Sequence, residues 1–131
     1  MPRERTTQEK HFDEILKTCV KKSEPHQRKS YDNNLYTVTT IAASSWFGGQ
    51  RTPIICTSYD RATEVVLENE GDIFEASYML AVIEGIQPNI LYGNVIGEQY
   101  WYMWEGPYHD GKYVPIEIPE EYKNILGFGI G

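Results

Sequence analysis

From Leu35 onward the chain is written in short β-branched and aromatic runs, broken by glycine and proline turns and interrupted once by helical spacing. That pattern limits the fold more than any other feature. LYTVTTIAAS (35–44) alternates and is β-branched, as a half-buried strand requires. Trp46-Phe47-Gly48-Gly49 follows, and Gly-Gly ahead of a second β-branched run marks a hairpin turn. RTPIICT (51–57) is the expected return strand; Pro53 has no N–H to give to a ladder, which favours a sheet edge. Asp60 is the expected N-cap of a helix through RATEVVLEN, with Ala62, Val65, Val66 and Asn69 along one face and Gly71 just past its end.

YMLAVIEGI (78–86) is dense enough in apolar residues for a central strand, and QPNILYGNVIG (87–97) is a loop. QYWYMW (99–104) is the most aromatic stretch of the chain. GPYHDGK then turns back, with Asp110-Gly111 expected to supply positive φ. YVPIEI (113–118) is a further strand, Pro119 opens a short helical turn over PEEYKN, and ILGFGI (125–130) ends the chain extended. Hairpins dominate and only one helix lies inside the sheet region. The expected class is α+β: a mainly antiparallel sheet with one helix packed on a face.

The first 34 residues differ from this body. Thr6 or Thr7 can cap a helix over 7–22, where Phe12, Ile15, Leu16, Cys19 and Val20 fall at helical spacing. KKSEPHQRKSYDNN (21–34) carries Pro25 and has no period, so it reads as a polar tether. The organisation expected is therefore an N-terminal amphipathic helix and linker over 1–34 and one α+β domain over 35–131. An apolar helix face on such a tether favours a homo-oligomer.

The chain's length, 131 residues, suits a single core. Its net charge of −7 is uneven: residues 1–30 hold eight of the twelve Lys and Arg against five acids, while 31–131 hold four against fourteen. A body that acidic repels nucleic acid duplexes, whose binding needs several Lys or Arg on phosphates. A small anion needs only one or two arginines and some backbone N–H groups. No apolar run nears the roughly 20 residues of a membrane-spanning helix, and the opening MPRERTTQEKHFDE is charged where a secretory signal would be apolar. A soluble, cytoplasmic protein is expected. Cys19 and Cys56 show no metal-ligand spacing with His11, His26 or His109, so they are expected reduced and buried, with no metal.

No catalytic residue emerges. His109 is explained by its PYHDG turn, Ser44-Ser45 lacks a nucleophile elbow, and neither Gly48-Gly49 nor GFGIG leads into a helix as a phosphate loop does. Acid pairs such as Glu68/Glu70 and Glu120/Glu121 arise by chance among so many acids. The expected ligand-binding residues are Arg51, Arg61, Asn94, Tyr100, Tyr102 and Trp104. In a strand, Tyr100, Tyr102 and Trp104 share one face and Trp101 and Met103 the other. Either both faces are packed, or one is an aromatic shelf on which a base stacks, at roughly 1–3 kcal/mol per base. Arg51 and Arg61 are the only arginines after residue 30. Arg61 opens a helix, where a cation is locally unfavourable, so it reaches either an acid or an external anion. Asn94, in LYGN, has the chemistry to read a base edge.

GGQRTPII, ENEGDIFEASYMLAVIE, EQYWYMWEG and the ending NILGFGIG together resemble a class of short phage-encoded proteins, over a body running from Thr37 to the C-terminus. Within that class the chain is similar to the Thoeris anti-defence 1 family, small oligomers that bind cyclic ADP-ribose-type signals between protomers and withhold them from a bacterial immune effector. The resemblance implies sequestration without catalysis and without a cofactor. One feature departs from it: a pyrophosphate ligand usually recruits several arginines, and none follows Arg61. The alternative from another class is an acidic protein–protein inhibitor of a host defence effector, drawn to a basic surface by the charge of the body. A signal-degrading enzyme rests only on the abundance of acids and on His109.

Overall fold

Each alternating run becomes a strand. The computed structural model describes residues 20–29, 35–42, 49–87 and 98–119. These contain β1 (Leu35–Ile41), β2 (Gln50–Cys56), the helix α1 (Tyr59–Leu67), β3 (Leu80–Ile86), β4 (Gln99–Glu105) and β5 (Lys112–Ile116). The strands form one sheet in the order β2-β1-β3-β4-β5, with every neighbouring pair antiparallel. The expected α+β class is present. β3 is central, as its apolar density demands, and β2 with Pro53 lies at an edge, where the register against β1 shifts between Val38 and Thr40. From β2 the chain passes through α1 to β3, stepping over β1. Among the described residues no helix is long and apolar enough to cross a membrane.

The helix begins one residue before the first expected cap position closes. Ser58, with extended backbone at φ −141°, is the N-cap, and its hydroxyl accepts from the Arg61 N–H at 3.0 Å. Asp60 instead sits in the first turn, where its carboxylate faces the positive end of the helix dipole. At the other end Asn69 takes the left-handed conformation (φ 46°) ahead of Gly71 (φ 66°). Asn69 accepts from the Phe74 N–H at 3.0 Å and donates to Asp72 Oδ1 at 3.3 Å. It is thus part of the stop and not of the apolar face, which consists of Tyr59, Ala62, Val65 and Val66.

That face lies on one side of the sheet, against Tyr36 and Val38 of β1, Ala81 and Ile83 of β3, Tyr100, Tyr102 and Trp104 of β4 and Tyr113 of β5, all buried. Phe74, in the connector after α1, stacks on Trp104 with centroids 3.9 Å apart and planes 7° from parallel, and Tyr113 meets both rings edge-on. Such aromatic pairs add about 0.5–1.5 kcal/mol beyond the burial itself. Tyr113 donates its hydroxyl to the Tyr78 carbonyl at 2.6 Å, which satisfies the polar end of a buried ring. The opposite sheet face is buried too, with Leu80, Val82, Trp101, Met103 and Ile116 among Thr37, Thr39, Glu84 and Gln99. β4 is therefore covered on both sides, the first of the two readings of QYWYMW.

Two expectations at chain turns are corrected. Positive φ in the β4–β5 hairpin falls at Gly106 (φ 101°), not in Asp110-Gly111. Gly111 is needed for space: a Cβ there would stand 2.5 Å from the Glu105 carbonyl oxygen and 2.6 Å from Trp104 Nε1. At residues 20–22, where the expected N-terminal helix ends, the chain is not helical, and Lys22 bridges Ile116. The remainder of that helix, Cys19, Trp46-Phe47-Gly48, Asn94, EEYKN (120–124) and the extended terminus lie outside the described residues. Cys56 is a free, buried thiol whose pKa burial pushes up.

Gly111→Ala is expected to lower stability by about 1–3 kcal/mol, the usual effect of overpacking a rigid site, because two of the atoms in its way are backbone oxygens of its own hairpin. The urea denaturation midpoint measures this; an unchanged midpoint would show that the hairpin opens at no cost.

Candidate functional site

The polar stretch that reads as a tether is, over residues 20–29, a strap laid on the sheet. β5 is an edge strand, and its outer backbone groups would otherwise be without strand partners. The strap takes them up: Ser23 N–H donates to the Pro115 carbonyl at 3.0 Å and Glu117 N–H to the Lys21 carbonyl at 2.9 Å. Lys22 Nζ lies 2.5 Å from Glu105 Oε2. Val20 packs against the core.

Beyond Pro25 the strap reaches the α1 side of β4. His26 Nε2–H donates to the Trp101 carbonyl at 2.7 Å, and its ring stands edge-on to Tyr100 and Tyr102, with centroids 5.9 and 5.0 Å away. The Tyr59 hydroxyl donates to the His26 carbonyl at 3.4 Å. Arg28 Nε donates to the Tyr36 hydroxyl at 2.9 Å, with Cζ 5.4 Å from that ring's centre. Lys29 donates its backbone N–H to the Tyr100 hydroxyl at 2.6 Å, and its Nζ lies 5.5 Å from the Tyr100 ring. The Tyr100 hydroxyl in turn donates to Glu98 Oε1 at 2.5 Å. Residues 26, 28 and 29 thus meet four tyrosines, Tyr36, Tyr59, Tyr100 and Tyr102, carried by β1, α1 and β4.

The protonation states follow from burial. Desolvation, and then the hydrogen bond to Glu98, raise the Tyr100 pKa, and burial raises those of Tyr59 and Tyr102. The phenols are neutral donors at pH 7. Burial is also the largest influence on His26 and lowers its pKa, with Lys29 acting in the same direction and the bond to the Trp101 carbonyl opposing. The positive charge of the site therefore resides on Arg28 and Lys29.

The residues expected from sequence are distributed differently. Arg51 is ion-paired with Glu75. Arg61 binds Glu70 through two nitrogens, at 2.7 and 2.5 Å, and also Glu64, so its pKa is raised and that of Glu70 lowered by their hydrogen bond. Of the two partners Arg61 could have had, the acid is the one present. The carboxylates of Glu64, Glu68 and Glu70 converge, and this guanidinium already supplies their cation. Tyr100 and Tyr102 meet at His26, whereas Trp104 lies with Phe74, Tyr108 and Tyr113. All three of these β4 rings are buried, with at most 2% exposed. Asn94 is outside the described residues. Arg28, Lys29 and His26 were not singled out from the sequence; the one sign of them was the basic surplus of residues 1–30.

A separate cleft of about 830 Å³ opens between the 68–76 connector and the β4–β5 hairpin. Glu68, Asp72, Glu75 and Asp110 line it beside Trp104 and His109, so its charge opposes an anion.

Because the folded chain holds His26 below its usual pKa of 6.5, the unfolded chain takes up the proton more readily. Stability contributed at His26 is complete above about pH 6.5 and declines on acidification through the lowered folded value, with a slope of at most about 1.4 kcal/mol per pH unit. Urea denaturation from pH 7 to 5 is expected to show this decline in the native chain and a flatter profile in His26→Gln. Identical profiles would exclude His26 as the source. Comparison with protein-family models, curated proteins and solved structures finds no match to this chain.

Proposed function

We propose that the chain is a non-catalytic, oligomeric binding protein that sequesters an anionic, nucleotide-derived signal of cyclic ADP-ribose type, acting as a phage-encoded counter-defence protein in the host cytoplasm. The observation that carries this reading is Arg28 and Lys29 held over the tyrosine end of the sheet. Phosphate recognition favours arginine for its planar fork and accepts lysine as a point charge. The Tyr36 hydroxyl that now accepts from Arg28 is a neutral oxygen. A phosphate oxygen is a charged acceptor that the guanidinium fork can meet with two parallel N–H bonds. These two side chains supply the cations whose scarcity after Arg61 departs from the family resemblance.

The chemistry around them supports holding a ligand and not transforming it. His26 Nε2 is committed to a backbone carbonyl, and the phenols stay protonated. Arg51 and Arg61 are engaged by carboxylates, so phosphate contact passes in this proposal to the strap. The acidic cleft between the connector and the β4–β5 hairpin favours a second reading, an inhibitor that docks on a basic protein surface.

Titration calorimetry with cyclic ADP-ribose, paired with native mass spectrometry, tests the first reading. The native chain is expected to bind and, on heating, to release the ligand with unchanged mass. Arg28→Ala is expected to weaken binding by about 1.5–3 kcal/mol, as loss of a charge-assisted bond does, while Arg51→Ala leaves it unchanged. Equal affinity in Arg28→Ala would remove the strap from the site, and a ligand of altered mass would indicate an enzyme. No binding at all, together with salt-sensitive capture of a basic host protein, would favour the inhibitor.

A further inference from the structure

The cleft between the 68–76 connector and the β4–β5 hairpin, at about 830 Å³, has the size of a small-ligand site. Its charges are only partly used within the fold. Glu75 is ion-paired with Arg51. Glu68 and Asp72 on the connector and Asp110 on the hairpin are exposed, and among the described residues none of the three is in an ion pair. Two aromatic rings from the hairpin side line the same cleft. Trp104 gives its N–H to the Pro107 carbonyl at 3.2 Å, so its contribution to the wall is hydrocarbon, and Tyr108 is half-buried.

The spread of these carboxylates decides which cation fits. Among the described residues the one set of three His, Cys, Asp or Glu side chains with ligand atoms within 4.8 Å of one another is Glu64, Glu68 and Glu70. No three donors of the cleft therefore close on one point, as a hard divalent ion requires. A single ammonium meets one carboxylate and leaves those on the other side of the cleft unmet. A flexible chain of ammonium groups separated by methylenes answers both sides, and its methylenes lie on ring surface in place of water. We propose that the cleft binds a linear aliphatic polyamine, its ammonium groups on Glu68, Asp72 and Asp110 and its methylenes against Trp104 and Tyr108.

Arg28 and Lys29 take no part in this site, so it does not rest on the anion reading. It gives the cleft a small ligand, where the second reading gives it a protein surface, and the experiment separates the two. Spermidine is titrated into the full chain at about 0.15 M NaCl, where exposed charges more than about 8 Å apart are largely screened. The Trp104 indole and Gly111 amide signals are followed by ¹H–¹⁵N NMR. Saturable shifts of both are expected. Glu68→Gln and Asp110→Asn are each expected to raise half-saturation about threefold, the size of an exposed ion pair, and together about tenfold if they add. Glu117→Gln, which removes an equal charge from the exposed surface outside the cleft, leaves half-saturation unchanged. The proposal is overturned if the shifts do not saturate, or if Mg²⁺ at equal charge concentration reproduces them. It is also overturned if Glu117→Gln weakens binding as much as Asp110→Asn does. A tetralysine peptide that binds more tightly than spermidine would overturn it too, and would assign the cleft to a basic protein segment.

Discussion

Strand β4 is buried on both faces, and the other elements are arranged by that fact. Tyr100, Tyr102 and Trp104 need cover on one side, Trp101 and Met103 on the other. α1 and the connector bearing Phe74 supply the first, closing Tyr59 over Tyr100 and Phe74 over Trp104. Fully burying one large apolar side chain is worth about 1.5–3 kcal/mol, so five in one strand outweigh any single hydrogen bond or surface ion pair described above. The phenols and indoles in that strand also bring polar ends that must find partners. Trp104 uses the Pro107 carbonyl, Trp101 the Gln99 amide, and Tyr100 both the strap and Glu98.

That last requirement joins the core to the candidate site. Tyr100 is wholly buried, and its hydroxyl is satisfied by the strap and by Glu98. Arg28 and Lys29 are thereby set against an otherwise acidic body, where Tyr36 and Tyr100 receive hydrogen bonds from them. Elsewhere the arginines of the body are neutralised locally: Arg51 by Glu75, Arg61 by Glu64 and Glu70. These exposed pairs contribute little to stability.

The strands were legible because their signal is local. Alternation located β1, apolar density β3 and aromatic content β4, with β1 ending three residues earlier than its run, at Ile41, and Pro53 identified an edge. The helix was legible in its apolar face, while its ends were misread between equally good polar residues. Ser58 caps in place of Asp60, and Asn69 turns the chain ahead of Gly71. Gly111 was identified for the wrong reason, since its crowding by Glu105 and Trp104 is invisible until the hairpin closes. The strap could not be read at all: His26 to Trp101 and Lys29 to Tyr100 are pairings over more than seventy residues, and nothing in the composition of KKSEPHQRKS announces them.

The pairing of residues 21–23 with β5 has a consequence for how copies of this chain can meet. An open sheet normally offers two templates on which a stranger's strand can lengthen the ladder. Here the β5 side is already occupied by the chain's own strap. The β2 side is broken by a proline that cannot donate and by a shift in register. Growth by adding strand to strand is blunted at both rims, so a partner approaching the described residues reads side chains and not a shared backbone. Recognition built that way depends on the sequence of the partner, whereas an open rim accepts almost any extended peptide.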